Sequence, residues 1–427
     1  MKVLSVLALG SACSISLSLL AKVAPAFAVN ENNNNNSFET RQIISGDNTV
    51  DAVLDPGLVD FFSFSNLTAG KLFDIKVNSD QVDSLLALLD IDNTLNNGYK
   101  LNVFNDDKSD VSVLSQLTGK VPDTGILDFG VSGANDLTAV GEPVVDPVTG
   151  IVISRDYQLG GAHNESGSYT LSLNTFDLPQ ASTNSKLING GFEQGDFSGW
   201  ATLGETNIDN QQSNFGSGPT EGNFQALLST ADGSFNNSIL EEFLGLGQGA
   251  LDALLPIPLP PRTAISQPPQ GSAIQQKFAA KAGQRLTFDW NFLTNEVAGT
   301  DLGAALPDFS FVSINSEANS ISKLNFLGLA AVFDPTNNPF KPTATTFFQE
   351  TGFNTFSYKI PTDGIYSLGI GVSNKFDNDV DSALLVDNVQ VVPEPSSLLS
   401  LLGFGVLGAG SLLKRKQRQK AGLVKSS

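Results

Sequence analysis

Alternation decides the fold class of this chain. From Gln284 to Phe292, Leu286, Phe288, Trp290 and Phe292 fall on one face of an extended backbone, and Thr287, Asp289 and Asn291 fall on the other. The device recurs in Lys71 to Val77 with Phe73, Ile75 and Val77, and in Ser168 to Leu173 with Tyr169, Leu171 and Leu173. It recurs again in Ile365 to Val372 with Tyr366, Leu368, Ile370 and Val372. A period of two builds strands with one apolar face, and two such faces bury against each other. The chain of 427 residues has room for two ordinary domains. The polar stretch 179–186 reads as a linker between them. The expectation is all-β: two β-sandwich or jelly-roll domains in tandem, 37–178 and 187–392, each folding independently. An N-terminal signal peptide precedes them and a single C-terminal transmembrane helix follows.

The start of the chain has the features of a secretory leader. Lys2 is followed by an apolar stretch from Val3 to Leu20 and then by Ala26-Phe27-Ala28, with small residues at the positions a signal peptidase reads. The predicted leader is 1–28, cut after Ala28. Residues 29–36, dominated by Asn32 to Asn36, read as a flexible spacer. At the other end, Pro393-Glu394-Pro395 precedes an apolar run over 396–413, and then Lys414, Arg415, Lys416, Arg418 and Lys420. An 18-residue helix rises about 27 Å, just enough for a hydrocarbon core of about 30 Å. The basic cluster stays cytoplasmic by the positive-inside rule, which leaves residues 29 to 392 outside.

Val392-Pro393-Glu394-Pro395-Ser396-Ser397, the apolar run and the basic tail together, over 393–420, resemble the PEP-CTERM sorting signal. The resemblance implies processing near Pro393-Glu394-Pro395 by an exosortase-type membrane protease. Delivery to the envelope or extracellular matrix, often alongside exopolysaccharide, is implied as well.

Between Val29 and Pro395 the chain carries 16 basic and 44 acidic residues, a net charge of −28. Such a surface repels phosphate backbones, so nucleic acid is a poor partner. Cys13, the only cysteine, lies in the leader, so the exported part has neither a disulfide nor a thiol nucleophile.

Two internal stretches carry resemblances of their own. Val59-Asp60-Phe61-Phe62-Ser63-Phe64, Gly70, Leu85 to Asp90 with Asn105-Asp106-Asp107, and Ser166 to Leu171 resemble the pre-peptidase C-terminal domain, a small β-sandwich. Leu187-Ile188-Asn189-Gly190-Gly191-Phe192-Glu193, Gly195 to Trp200 and the closing Leu385-Val386-Asp387-Asn388-Val389 resemble carbohydrate-binding jelly rolls of the galactose-binding-like type. That resemblance implies that the first and last strands pair. It also implies a structural calcium beside them, held by Glu193 and Asp387 with the Gly190 backbone. The insert 234–270 holds Pro256, Pro258, Pro260 and Pro261 and is expected to be irregular, with a short helix near Ile239 to Phe243.

Catalytic constellations are sparse. His163 is the only histidine, set in Gly160 to Glu165, and reads as a solvated turn residue. A serine triad needs a histidine base, a role a turn residue does not fit, and one histidine with no exported cysteine cannot build the usual zinc site. A glycosidase needs only two carboxylates, but no pattern singles out a pair. Asp377-Asn378-Asp379-Val380-Asp381 begins like an EF-hand loop, yet Ser382 stands where Gly is required and Asn388 where Glu closes it. Asp106 and Asp107 read as a solvated turn. Trp290 and Trp200 are expected in the core, which leaves no exposed aromatic platform for sugars. The leading expectation is a non-catalytic structural or adhesive surface protein without a cofactor, and the alternative is an exopolysaccharide-binding module.

Overall fold

The computed structural model describes residues 28–105, 115–145, 152–210, 217–231, 233–254, 269–295, 308–329, 341–342, 347, 349–374 and 381–393. The leader, the apolar run 396–413, Glu394, Pro395, the basic tail, Asp106, Asp107 and 375–380 lie outside them. Among the described residues, no helix is long and apolar enough to cross a membrane.

The first unit is a β-sandwich of two five-stranded sheets. One sheet runs Val29–Asn30, Thr49–Leu54, Gly167–Phe176, Leu72–Asn78, Gln116–Lys120. The other runs Gln42–Ser45, Asp60–Ser65, Leu127–Gly133, Ser84–Ile91, Tyr99–Asn105. Phe73, Ile75 and Val77 meet Phe62, Phe64 and Phe129 in the core between them, as the alternation requires. The second sheet is buried on its outer face too, where Phe38, Phe61, Leu85 and Tyr99 pack with Leu159 of the hairpin Leu137–Val145/Val152–Leu159. That double burial explains why Leu85 to Leu89 reads as a continuous apolar run rather than an alternating one.

The stretch 29–36 is not a free spacer. Val29–Asn30 pairs in parallel with Val50 and Asp51, and Glu31 N–H donates to the Asp51 carbonyl at 2.9 Å. Phe61 N–H donates to the Asn35 carbonyl at 2.9 Å, and the Asn35 side chain is fully buried. An edge strand offers unpaired backbone groups, and this segment pairs with one.

The second unit is a sandwich of two seven-stranded sheets. Gln270–Ala280, Gly364–Ser373 and Phe309–Ser316 form the centre of one; Gln225–Ser229, Ser382–Val392 and Arg285–Thr294 form the centre of the other. Phe278, Leu286, Phe288, Phe292, Tyr366, Leu368, Ile370, Leu384 and Val386 fill the space between them. Trp200 is buried there, while Trp290 is half-buried and packs against the edge of the same core.

The expected first strand is a departure. Residues 187–200 form turns, because Asn189, Phe192, Gly195 and Gly199 all take positive φ and break an extended run. The last strand pairs instead with Gln225–Ser229 and Arg285–Thr294. A single backbone bond, Val389 N–H to the Gly190 carbonyl at 2.9 Å, joins the opening segment to it.

The insert folds in part. Asn236 caps the helix Asn237–Leu244, accepting from Ile239 N–H, and Gly245 ends it in the left-handed region. Ile239, Leu240, Phe243 and Leu244 share its buried face. They pack in one cluster with Phe235, Phe309 and Phe311, and with Leu72, Phe176 and Leu178 of the first unit and its exit. The stretch 179–186 is therefore not a free linker: Ala181 is buried, and Thr183–Asn184 pairs with Lys277 and Phe278. Lys120 Nζ meets Glu242 Oε2 at 2.7 Å across the same junction.

Candidate functional site

Asp387 lies in the last strand, directly opposite Asp289 of Arg285–Thr294. The register slips between Thr287 and Asp289, and Asn388 takes φ 52°, a bulge that Asn tolerates. Asn388 Nδ2 then reaches Asp289 Oδ2 at 3.0 Å, and Gln390 Nε2 reaches Asn388 Oδ1 at 2.9 Å. Thr355 Oγ1 donates to Asp289 Oδ1 at 2.6 Å from the neighbouring strand Asn354–Lys359.

The segment 217–224 lies over this row. Asp387 Oδ2 accepts from Thr220 N–H at 2.7 Å, from Thr220 Oγ1 at 2.9 Å and from Glu221 N–H at 2.8 Å. Asp387 is fully buried. Burial raises its carboxyl above the ordinary range, opposed by the Glu221, Thr220 and Asn388 hydrogen bonds. Glu193 holds the far end of the segment, where its Oε1 accepts from Asn223 N–H at 2.8 Å and Phe224 N–H at 3.0 Å. Gly222 has φ 67°, and a Cβ there would lie 2.2 Å from Glu193 Cδ. A Cβ on Gly190 would lie 1.8 Å from the Val389 carbonyl oxygen, so only glycine lets the opening turn reach the last strand.

The structure thus brings Glu193, Gly190 and Asp387 into one neighbourhood. It adds Thr220, Glu221 and Asp289, which the sequence reading missed. Glu221 Oε2 lies 3.1 Å from the Cβ position of Gly191, and Asp387 Oδ1 lies 3.8 Å from it. Glu193 Oε2 accepts no hydrogen bond among the described residues, whereas Asp387 Oδ1 accepts from Asn388 N–H. Among the described residues no group of three or more His, Cys, Asp and Glu is drawn together as a ready metal cage. A calcium ion needs about 6–8 oxygens, so Glu193 and Asp387 alone could supply only part of its shell.

Beside this row Gln225, fully buried, donates through Nε2 to Asp209 Oδ2 at 2.7 Å and to the Ser217 carbonyl at 3.0 Å. Asn291 Nδ2 and Ser217 Oγ both donate to Glu350 Oε2, at 2.6 and 2.8 Å. The whole network ties surface segments to the sheet.

In the first unit His163 is buried rather than solvated: its Nε2 lies 2.6 Å from the Leu58 carbonyl and its ring packs on Gly133. The turn before it is folded inward by Asp136, whose carboxylate accepts from the N–H groups of Gly160, Gly161 and Ala162. Asp60, also buried, accepts from Tyr169 Oη at 2.8 Å. Burial, and then the neighbouring Glu31 carboxylate, push its carboxyl up to about 8.

No curated protein matches the chain significantly. Among solved structures, a carbohydrate-binding module, TmCBM61, in complex with β-1,4-galactotriose aligns over 49% of this chain and 99% of its own, at 10% identity and TM-score 0.27. The pre-peptidase C-terminal domain of a Bacillus anthracis collagenase aligns over 31% of this chain and 94% of its own, at 16% identity and TM-score 0.19. A carbohydrate-binding module specific for non-crystalline cellulose, CBM28, aligns over 50% and 98%, at 10% identity and TM-score 0.27. Likenesses this distant carry no conclusion about ligands. Residues 391–416 match the family profile of the PEP-CTERM protein-sorting motif, which marks the chain as an exported, surface-directed protein and implies exosortase processing.

Proposed function

We propose that this chain is a non-catalytic surface protein with a structural or adhesive role, released by processing near Pro393-Glu394-Pro395. The observation that carries the reading is how its carboxylates are used. Asp387, Glu193 and Asp136 each accept two or more main-chain N–H groups and so fix loops onto sheets. Groups spent in this way support a scaffold more than an acid–base pair. Mass spectrometry of the mature termini in envelope and medium fractions tests the sorting half. Glu394→Ala should trap the precursor in the membrane, and unchanged release would count against processing at this motif. Breakdown of a polysaccharide by the purified protein would overturn the non-catalytic half.

A second reading, binding of exopolysaccharide, is favoured by one feature. Thr287, Asp289, Thr355, Ser357, Asn388 and Gln390 lie on adjoining strands at partly or fully exposed positions. Their hydroxyl, amide and carboxylate groups match the hydrogen-bonding character of a glycan. A glycan array decides it, with Gln390→Ala expected to weaken any signal. A structural calcium at Glu193 and Asp387 belongs to the same proposal as a support for the site.

A further inference from the structure

The last strand ends at Val392, which is paired with Arg285, and Arg285 is paired on its other side with Lys359. Only Pro393-Glu394-Pro395 separates this strand from the apolar run that begins at Ser396. Three residues span about 10 Å at full extension. An apolar run seated in a bilayer therefore holds this end of the sandwich against the membrane surface.

The chemistry of that end fits the position. Lys281 and Lys359 are exposed and Arg285 is half-buried, with its Nη1 donating to Ser357 Oγ at 2.9 Å. Lys186 is exposed and lies toward the same end, since Thr183–Asn184 runs parallel to Lys277 and Phe278. The acids in the turns there are Asp363, whose Oδ1 accepts from Ala282 N–H, and Glu317. Among the described residues of these turns four basic residues stand beside Asp363 and Glu317, with Glu394 next in the sequence of the tail, in an exported part whose net charge is −28. Ile365 is 43% exposed beside them, and Val391 and Val392 are half-buried. Basic residues set among apolar ones suit the headgroup layer of an anionic membrane.

We propose that this end of the second sandwich, built on the turns 281–284 and 360–363, docks on anionic lipid headgroups while the precursor is anchored. Docking holds Pro393-Glu394-Pro395 at the membrane surface, where a membrane protease works. The proposal rests on the reading of 396–413 as a membrane segment.

The test uses the full-length chain in vesicles of phosphatidylcholine with phosphatidylglycerol, with the chain in detergent as the reference. Flotation reports whether the chain is seated. Amine acylation, read lysine by lysine by mass spectrometry, reports docking. Lys281 and Lys359 should be protected in vesicles, and Lys76 and Lys100 of the first unit should label as in detergent. A basic residue at an anionic surface contributes about a fivefold factor, so Lys281→Glu, on an exposed turn, should lower the protection of Lys359 by about that much. Vesicles of phosphatidylcholine alone should protect less. A chain that does not float overturns the membrane seating and the docking with it. A chain that floats but labels uniformly overturns the docking alone.

Discussion

Asp387 and Glu193, far apart in sequence, grip the two ends of one short segment. Asp387 Oδ2 takes the N–H groups of Thr220 and Glu221, and Glu193 Oε1 takes those of Asn223 and Phe224. The segment between them covers the middle of the sheet. Removing the buried acceptor leaves three donors without a partner, so Asp387→Ala should cost roughly 2–4 kcal/mol in urea unfolding of the full chain. Glu193 is exposed, and Glu193→Ala should cost clearly less. Equal losses would mean that burial is not what sets the value of these bonds.

Calcium should raise the melting temperature of the transition that involves the second unit, and EDTA should lower it. A ligand bound only by the folded state adds about 2.7 kcal/mol at a hundredfold excess over its Kd. Asp387→Ala should abolish the response in differential scanning calorimetry. Magnesium giving the same shift as calcium would reduce the effect to charge screening and remove the calcium site.

The pH dependence follows from Asp60. Its carboxyl is raised from 3.8 to about 8 in the folded chain. Between those values the folded state binds the proton that the unfolded state has lost, so stability falls as pH rises from about 4 to about 8. Asp387, also raised, acts in the same direction. Denaturant titrations across that range should show the decline, and Asp60→Asn should flatten it. A slope that Asp60→Asn leaves unchanged would mean that the Asp60 carboxyl is not raised in the folded chain.

The two units should unfold together rather than separately. Leu72 of the first unit is fully buried in a cluster with Phe235, Ile239 and Leu240 of the second. Leu72→Ala should cost about 2–5 kcal/mol and split a single calorimetric transition into two. Two well-separated transitions in the unaltered chain would show that the shared cluster does not couple them.

The strands were the legible part of the sequence. Leu286, Phe288 and Phe292, or Tyr366, Leu368 and Ile370, announce a buried face by alternation, and both sets stand in the core. Residues 187–200 were misread because Asn189 and Phe192 fold to positive φ, which apolar patterning does not encode. The Asn-rich start was misread because its pairing with Thr49–Leu54 uses backbone groups that every residue carries. The candidate site was half legible for the same reason. Glu193 and Asp387 are visible as side chains, but their partners are main-chain N–H groups of 220–224 that leave no mark in residue type. His163 looked exposed among glycines, and the inward fold of its turn depends on the distant Asp136.

The strand that leads into the tail, Ser382–Val392, has a neighbour on each side, Gln225–Ser229 and Arg285–Thr294. Tension on an anchored tail would therefore run along a central strand and load its hydrogen bonds to both neighbours in shear, many at once. A tail attached to an edge strand would instead peel, breaking one bond at a time. On the proposed membrane seating, a pull on the tail would therefore meet a row of hydrogen bonds together, and its resistance would not depend on the last bond alone.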